Sequence, residues 1–262
     1  MRTPEPVSTS FLTPDASPVA TPIPQDDSAY WRFFDDVAAA QLQQWLPLRP
    51  SRILDVSDGG HFAGQLTAAG HEVLRVQPAP DGAVEPDEPG SGRLLPVVAD
   101  SRSLDRLPDA SVDLVLAESS ALSMCLATEL VVEQLARVLR PGGRMLLVVE
   151  SLMLGLARLA EQGRWAELAD APSADVVLVP DDQGNITRCF WPEELRDLLT
   201  DVGLEVEWVR PRSVLSVATV ERALLQGGDD ALRTLVKTEL ALAVEREGEG
   251  IGLYLFASAR RP

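Results

Sequence analysis

The sequence predicts an α/β fold in which helices cover both faces of a doubly wound, mostly parallel sheet. Three observations predict it. Short apolar runs recur between amphipathic stretches, at Arg52–Val56, Glu72–Val76, Leu94–Ala99, Val112–Ala117 and Met145–Val149. Strand-sized runs alternating with helical patterns imply β-α-β units, hence parallel strands and right-handed crossovers. In Val138-Leu139-Arg140-Pro141-Gly142-Gly143-Arg144 a basic helix end meets a turn that proline and two glycines favour, directly before a buried strand. Finally, Asp55, Gln77, Asp100 and Glu118 fall at or near the carboxyl ends of these runs, where such sheets bind ligands.

The elements follow in order. Residues 1–27 are rich in Pro, Ser and Thr and poor in large apolar side chains, so they are expected to form a disordered tail. Tyr30, Trp31, Phe33, Phe34, Val37, Ala38, Leu42 and Trp45 keep helical spacing, predicting an amphipathic helix over about Ser28–Leu46. The Ser57-Asp58-Gly59-Gly60 turn follows the first strand. It leads into a helix carrying Phe62, Leu66 and Ala69, which Gly70 ends. The Pro- and Gly-rich stretch 78–92 reads as an exposed loop, and a helix is expected over Ala121–Leu139.

After Glu150 the pattern predicts a helix over Leu152–Leu168 and a hairpin from Asp175–Val179 and Asn185–Phe190. A further helix opens at Trp191-Pro192-Glu193-Glu194, with proline early and acids in its first turn. A strand over Leu204–Val209, helices near Val217–Leu225 and Ala231–Glu245, and a strand over Ile251–Ala257 complete the chain.

Composition bounds the function. A length of 262 residues with 45% apolar side chains suits one large domain. The 23 basic and 40 acidic residues give a formal charge of −17, which repels nucleic acid and anionic lipid and favours solubility. No apolar run reaches membrane-spanning length, and the first residues lack the basic segment followed by an apolar stretch that marks a secretory signal. Cys125 and Cys189 are far apart, and with only His61 and His71 beside them no metal constellation is expected. A reducing cytoplasm fits this cysteine usage. The sequence leaves a homodimer open.

Several of these segments resemble class I (Rossmann-like) S-adenosylmethionine-dependent methyltransferases. The Arg140-Pro141-Gly142-Gly143 turn resembles the one before that family's fifth strand. Arg102–Asp113, with Leu104, Pro108 and Ser111-Val112-Asp113, resembles the segment between its third and fourth strands, and Pro192–Val209 resembles its late helix and strand. The resemblance implies seven strands in the order 3-2-1-4-5-7-6, the seventh antiparallel. Residues 28–262 would form this domain, with 150–190 as an insertion capping the substrate side.

It also implies S-adenosylmethionine (SAM) as cofactor, held by Asp55, Ser57, Gly59, Gln77, Asp100, Ser101 and Glu118. The family's Asp-x-Gly-x-Gly-x-Gly signature is degenerate here: Asp55 and Gly59 match, but Ser57 and His61 replace glycines. A Cβ at Ser57 can be accommodated, whereas an imidazole at His61 threatens to narrow the methionine pocket. Asp58 is expected to cap the following helix, or else to meet the cofactor's ammonium. Gln77 stands where the family carries an acid that accepts from the ribose hydroxyls. Losing that charge-assisted contact costs about 1–3 kcal/mol, roughly tenfold to hundredfold in affinity. Asp100 and the Ser101 amide match the family's adenine contacts, and Asp100 equally suits a helix cap.

Glu118 is read as a general base, a substrate contact or a solvated loop carboxylate. Tyr30, Trp31, Phe33 and Phe34 are read as sheet packing or as a lid. Cys125 reads as a small apolar residue, not a nucleophile.

The leading functional expectation is methyl transfer to a small-molecule acceptor, with no catalytic residue assigned and the cofactor weakened or lost. Its rival is a catalytically inactive relative serving as a binding or assembly module, since the departures cluster on the ligand side. A nicotinamide-dependent oxidoreductase is disfavoured by the missing Gly-x-Gly-x-x-Gly turn.

Overall fold

The computed structural model describes residues 23–24, 28–57, 61–77, 92–99, 104–118, 122–174, 176–181 and 184–262. The expected tail therefore lies outside the described residues, apart from Ile23 and Pro24. Ile23 packs against the apolar cluster beneath the first helix. The loop expected at 78–92 lies outside them too, except for Gly92.

The expected sheet forms. Strands β1 (Arg52–Asp55), β2 (Glu72–Gln77), β3 (Arg93–Val98), β4 (Val112–Ala117), β5 (Leu139–Glu150), β8 (Glu205–Arg212) and β9 (Tyr254–Arg260) stand in the order β3-β2-β1-β4-β5-β9-β8. The first five pair in parallel, and β9 runs antiparallel to both β5 and β8. A separate two-stranded ribbon joins β6 (Val177–Pro180) to β7 (Ile186–Cys189).

Pleating sorts the strand residues onto two faces. Leu54, Val115, Met145, Leu147 and Val149 face one apolar cluster with α3 (Thr128–Val138) and α6 (Pro192–Asp201). Ile53, Leu114, Leu116, Leu146 and Val148 face another, shared with α1 (Tyr30–Trp45), α2 (Ala63–Ala68) and the start of α4 (Leu152–Glu161). Helix α1 is held from two sides. Leu42 and Trp45 pack on the sheet, while Tyr30, Phe33 and Val37 meet Val217, Val220 and Leu232 of α7 (Val217–Glu245). The two late helices expected from sequence are the halves of α7, bent where Gly228 leaves helical geometry at φ 52°.

The helix expected over Leu152–Leu168 is divided into α4 and a second helix over Trp165–Asp170, with Gly163 at φ 67° between them, and two further expectations need correction. The Pro-Gly-Gly segment is not a free reversal before a strand starting at Met145. Strand β5 already pairs at Leu139 with Val112, and 140–143 bulge before pairing resumes between Arg144 and Leu114. The C-terminal segment recruits the bulge: the Gly142 amide donates to the Arg261 carbonyl, and the Arg261 amide donates to Gly143. Gly142 adopts φ 77°, which explains its glycine. The second correction is α3, which starts at Thr128 and not near Ala121. Ser123 is engaged elsewhere: its carbonyl accepts from the Arg188 amide and its hydroxyl from the Glu150 amide, so it cannot propagate a helix.

Between β5 and α6, α4, α5 (Trp165–Asp170) and the β6–β7 ribbon enclose an apolar cluster of their own, including Leu152, Leu159, Val179 and Cys189. Ser151 ties this subassembly to the sheet. Its hydroxyl donates to the Gly252 carbonyl at 2.5 Å and accepts from the Leu154 amide, capping α4. Replacing a capping serine and breaking a buried hydrogen bond together are expected to lower stability by about 1–3 kcal/mol in Ser151→Ala, measured by urea unfolding.

Candidate active site

A cavity of about 300 Å³ opens beyond the carboxyl ends of β1 and β4, against the face of α1. Its walls include Trp31, Phe34 and Asp35 from α1, Ser57 from the turn after β1, His61 and Phe62 ahead of α2, and Glu118 just past β4. The aromatic run on α1 thus divides between the two roles expected of it. Tyr30 and Phe33 are buried against α7, while Trp31 and Phe34 face the cavity.

Two of the residues expected from sequence, Ser57 and Glu118, line it, and a third, Asp55, lies directly behind Ser57. The Ser57 amide donates to Asp55 Oδ1 at 3.0 Å, and the Glu118 amide donates to Ser57 Oγ at 2.9 Å. Ser57 therefore stitches the ends of two neighbouring strands, a role glycine cannot fill. Asp55 is fully buried, and its Oδ2 has no hydrogen-bond partner among the described residues. Burial pushes its carboxyl above the usual range, the Ser57 contacts and Arg75 opposing the shift. His61 is exposed on the cavity wall, so the imidazole lines the space without plugging it.

Glu118 is neither exposed nor a loose loop carboxylate. It is 3% exposed, and both its oxygens accept from the guanidinium of Arg212 at the end of β8, at 2.7 and 2.9 Å. Arg212 is wholly buried, and its Nε donates to Gln41 of α1 at 2.6 Å. Sequence reasoning missed Arg212 and Gln41. The available signal was a charge at the end of each of two strands, Glu118 after β4 and Arg212 on β8.

The remaining expected residues do not join this group. Gln77 is buried at the last position of β2, beside Val98 of β3, and is not among the described cavity walls. Asp58, Gly59, Asp100 and Ser101 lie outside the described residues. Helix α2 begins at Ala63 behind Phe62, with no side-chain cap. No group of three or more His, Cys, Asp or Glu residues suited to a metal occurs among the described residues, and no helix there is long and apolar enough to cross a membrane. Cys125 is partly buried against the main apolar cluster, and Cys189 is buried with its thiol pushed up to about 12 by desolvation.

Comparison with known proteins agrees with this architecture. Residues 54–147 match the methyltransferase domain family. Over 102 residues the chain is 37% identical to the malonyl-[acyl-carrier protein] O-methyltransferase of Methylococcus capsulatus, a match covering 37% of this chain and 36% of that protein. Among solved structures, a SAM-dependent methyltransferase from Methanosarcina mazei superposes with a TM-score of 0.54 at 20% identity, over 84% of this chain and 96% of that one. The 1,6-didemethyltoxoflavin-N1-methyltransferase of Burkholderia thailandensis, solved with its substrate and S-adenosylhomocysteine, gives 0.54 at 18% identity, over 89% and 81%. At these identities the structures speak for the fold alone. SAM is the cofactor of the matched family. By its sheet order and its antiparallel last strand the chain has the Rossmann-like fold of the SAM-dependent methyltransferases it resembles, and within it residues 54–147 match the methyltransferase domain family.

Proposed function

We propose that this chain is a SAM-dependent methyltransferase acting on a small-molecule acceptor, with the cavity between α1 and the tips of β1 and β4 as its active site. The observation that carries the reading is the cavity itself. It lies at the ligand-binding edge of this fold, and it combines aromatic walls with the exposed carboxylate of Asp35. Such a lining suits a cation, through attraction to the ring faces and to negative charge. The orphaned Asp55 Oδ2 behind Ser57 adds an unmet acceptor, and a ligand bearing an ammonium group supplies donors. The residues present therefore fit the cofactor. Asp55, Ser57 and Glu118 would hold its charged end. Gly59, Gln77, Asp100 and Ser101 are proposed to make the contacts that the family resemblance implies for them.

When bound, the cofactor supplies an already activated methyl group. What is left to the protein is alignment and exclusion of water. Trp31, Phe34 and Phe62 exclude water from the cavity. Glu118, gripped through both oxygens by Arg212, is held in a fixed position. A proton leaving the acceptor molecule has His61 and Asp35 on the same wall to receive it. Residues 150–190 serve as the cap on the substrate side.

Titration calorimetry with SAM and S-adenosylhomocysteine tests the reading. Saturable binding is expected, tightened about tenfold in Gln77→Asp, which restores an acidic acceptor at the end of β2. Absence of heat with either ligand at millimolar concentration overturns it.

A further inference from the structure

Arg212 sits far from the described cavity walls in sequence, yet it touches two of them. Its guanidinium holds both oxygens of Glu118, part of the cavity floor, and lies over the ring of Phe34, part of the α1 wall, at 5.6 Å from the ring centroid. On its other side it lies over Phe256 of β9 at 4.6 Å. Its Nε reaches Gln41, two turns along α1 on the same face as Phe34. Gln41 is itself 5% exposed.

A wholly buried ion pair is weak support for stability, because desolvating two charges offsets most of their attraction. Well-packed apolar side chains would fill the same space at no loss. What a guanidinium adds is geometry: a planar fork with a fixed set of donors, able to hold a carboxylate and an amide oxygen at once.

We propose that Arg212 is a positioning residue for the active site, fixing the Glu118 floor and the α1 wall relative to each other so that the ligand meets a preorganised cavity. The proposal rests on the methyltransferase reading for the identity of the ligand, but not for the coupling between floor and wall. Through Gln41 and Phe34, any displacement of α1 is resisted by the same group that orients Glu118. The pocket is therefore set by three elements that are remote in sequence: α1, the end of β4 and the end of β8.

The test uses the full chain with Arg212→Lys, Gln41→Leu and the double variant, each shown by circular dichroism to be folded at the temperature of measurement. Lysine keeps the charge but cannot span Glu118 and Gln41 together. Gln41→Leu cuts the hydrogen bond to α1 and leaves the Phe34 contact in place. S-adenosylhomocysteine affinity is expected to fall about tenfold in each single variant, the scale of one hydrogen bond to a ligand-holding group, and no further in the double variant. A purely structural role would lower the melting temperature and leave the affinity of folded protein unchanged. Affinities within twofold of wild type, or losses that multiply in the double variant, overturn the proposal.

Hydrogen exchange without ligand gives a second readout. Exchange is expected to quicken over 30–45 in both single variants and to stay unchanged in β4 and β5. If the wild type binds neither SAM nor S-adenosylhomocysteine, the cofactor assignment falls while exchange still decides the coupling. Unchanged exchange over 30–45 then overturns the positioning role.

Discussion

Gly252→Ala is expected to destabilise the protein by about 3 kcal/mol or more, enough to leave much of it unfolded or aggregated on expression. A Cβ at this position would stand 2.3 Å from the Arg212 carbonyl oxygen and 2.8 Å from its amide nitrogen. Both atoms are backbone, so no side-chain rotation relieves the overlap, and β8 must move away from the segment entering β9. The same displacement breaks the Ser151 hydrogen bond to the Gly252 carbonyl and carries Arg212 away from Glu118. Gly64→Ala is the control. That glycine lies in α2 with nothing within 4 Å of a built Cβ, and the substitution is expected to be neutral or to stabilise by about 0.5–1 kcal/mol through helix propensity. Urea unfolding of the two variants against wild type measures the contrast. Equal stabilities would mean that β8 and β9 are free to separate at their tips.

Much of the fold was legible because its signals are local. Strands β1, β2, β4 and β5 are apolar runs bounded by turn residues, and helices α1 and α6 keep a clean apolar stripe. The Pro-Gly-Gly segment was legible as a break but not as a bulge. Whether such a break reverses the chain or interrupts a strand depends on a distant partner, here the Arg261 backbone. The shortened α3 has the same origin, since Ser123 is claimed by Arg188 and Glu150 across the fold.

The site divides along the same line. Asp55, Ser57 and Glu118 could be placed together at one end of the sheet because they close neighbouring strands. The device that holds Glu118 could not be assembled from sequence. Gln41, Glu118 and Arg212 come from three separate elements, and nothing local pairs them. The expectation of a solvated Glu118 failed for that reason. A charge at a strand end reads as exposed unless its remote partner is known.

Glu239 carries the other large effect. It lies on the apolar face of α7, in step with Leu232, Leu235 and Ala243, where helical spacing alone would call for a hydrophobic residue. It is wholly buried, and its carboxylate accepts from the amides of Val214 at 2.8 Å and Leu215 at 3.0 Å. These amides follow directly on Arg212 and Ser213, the latter held at φ 64°. Glu239 thus straps the end of β8 to α7. Glu239→Ala strips both buried amides of their acceptor and is expected to lower stability by about 2–4 kcal/mol, or the melting midpoint by roughly 5–15 °C. Burial pushes the Glu239 carboxyl above its ordinary value, against the opposing pull of the Val214, Leu215 and Ser213 amides and of Arg212. Because the folded value lies above the unfolded one, the contribution of this titration is complete below the ordinary carboxylate range and is lost as pH rises through the raised value. Glu239→Gln cannot titrate. Its stability relative to wild type should therefore improve as pH rises from the acid side of the carboxylate range toward neutrality. Thermal melts of both proteins across that range measure the difference, and a constant gap at every pH would show that Glu239 keeps an ordinary carboxyl in the folded chain.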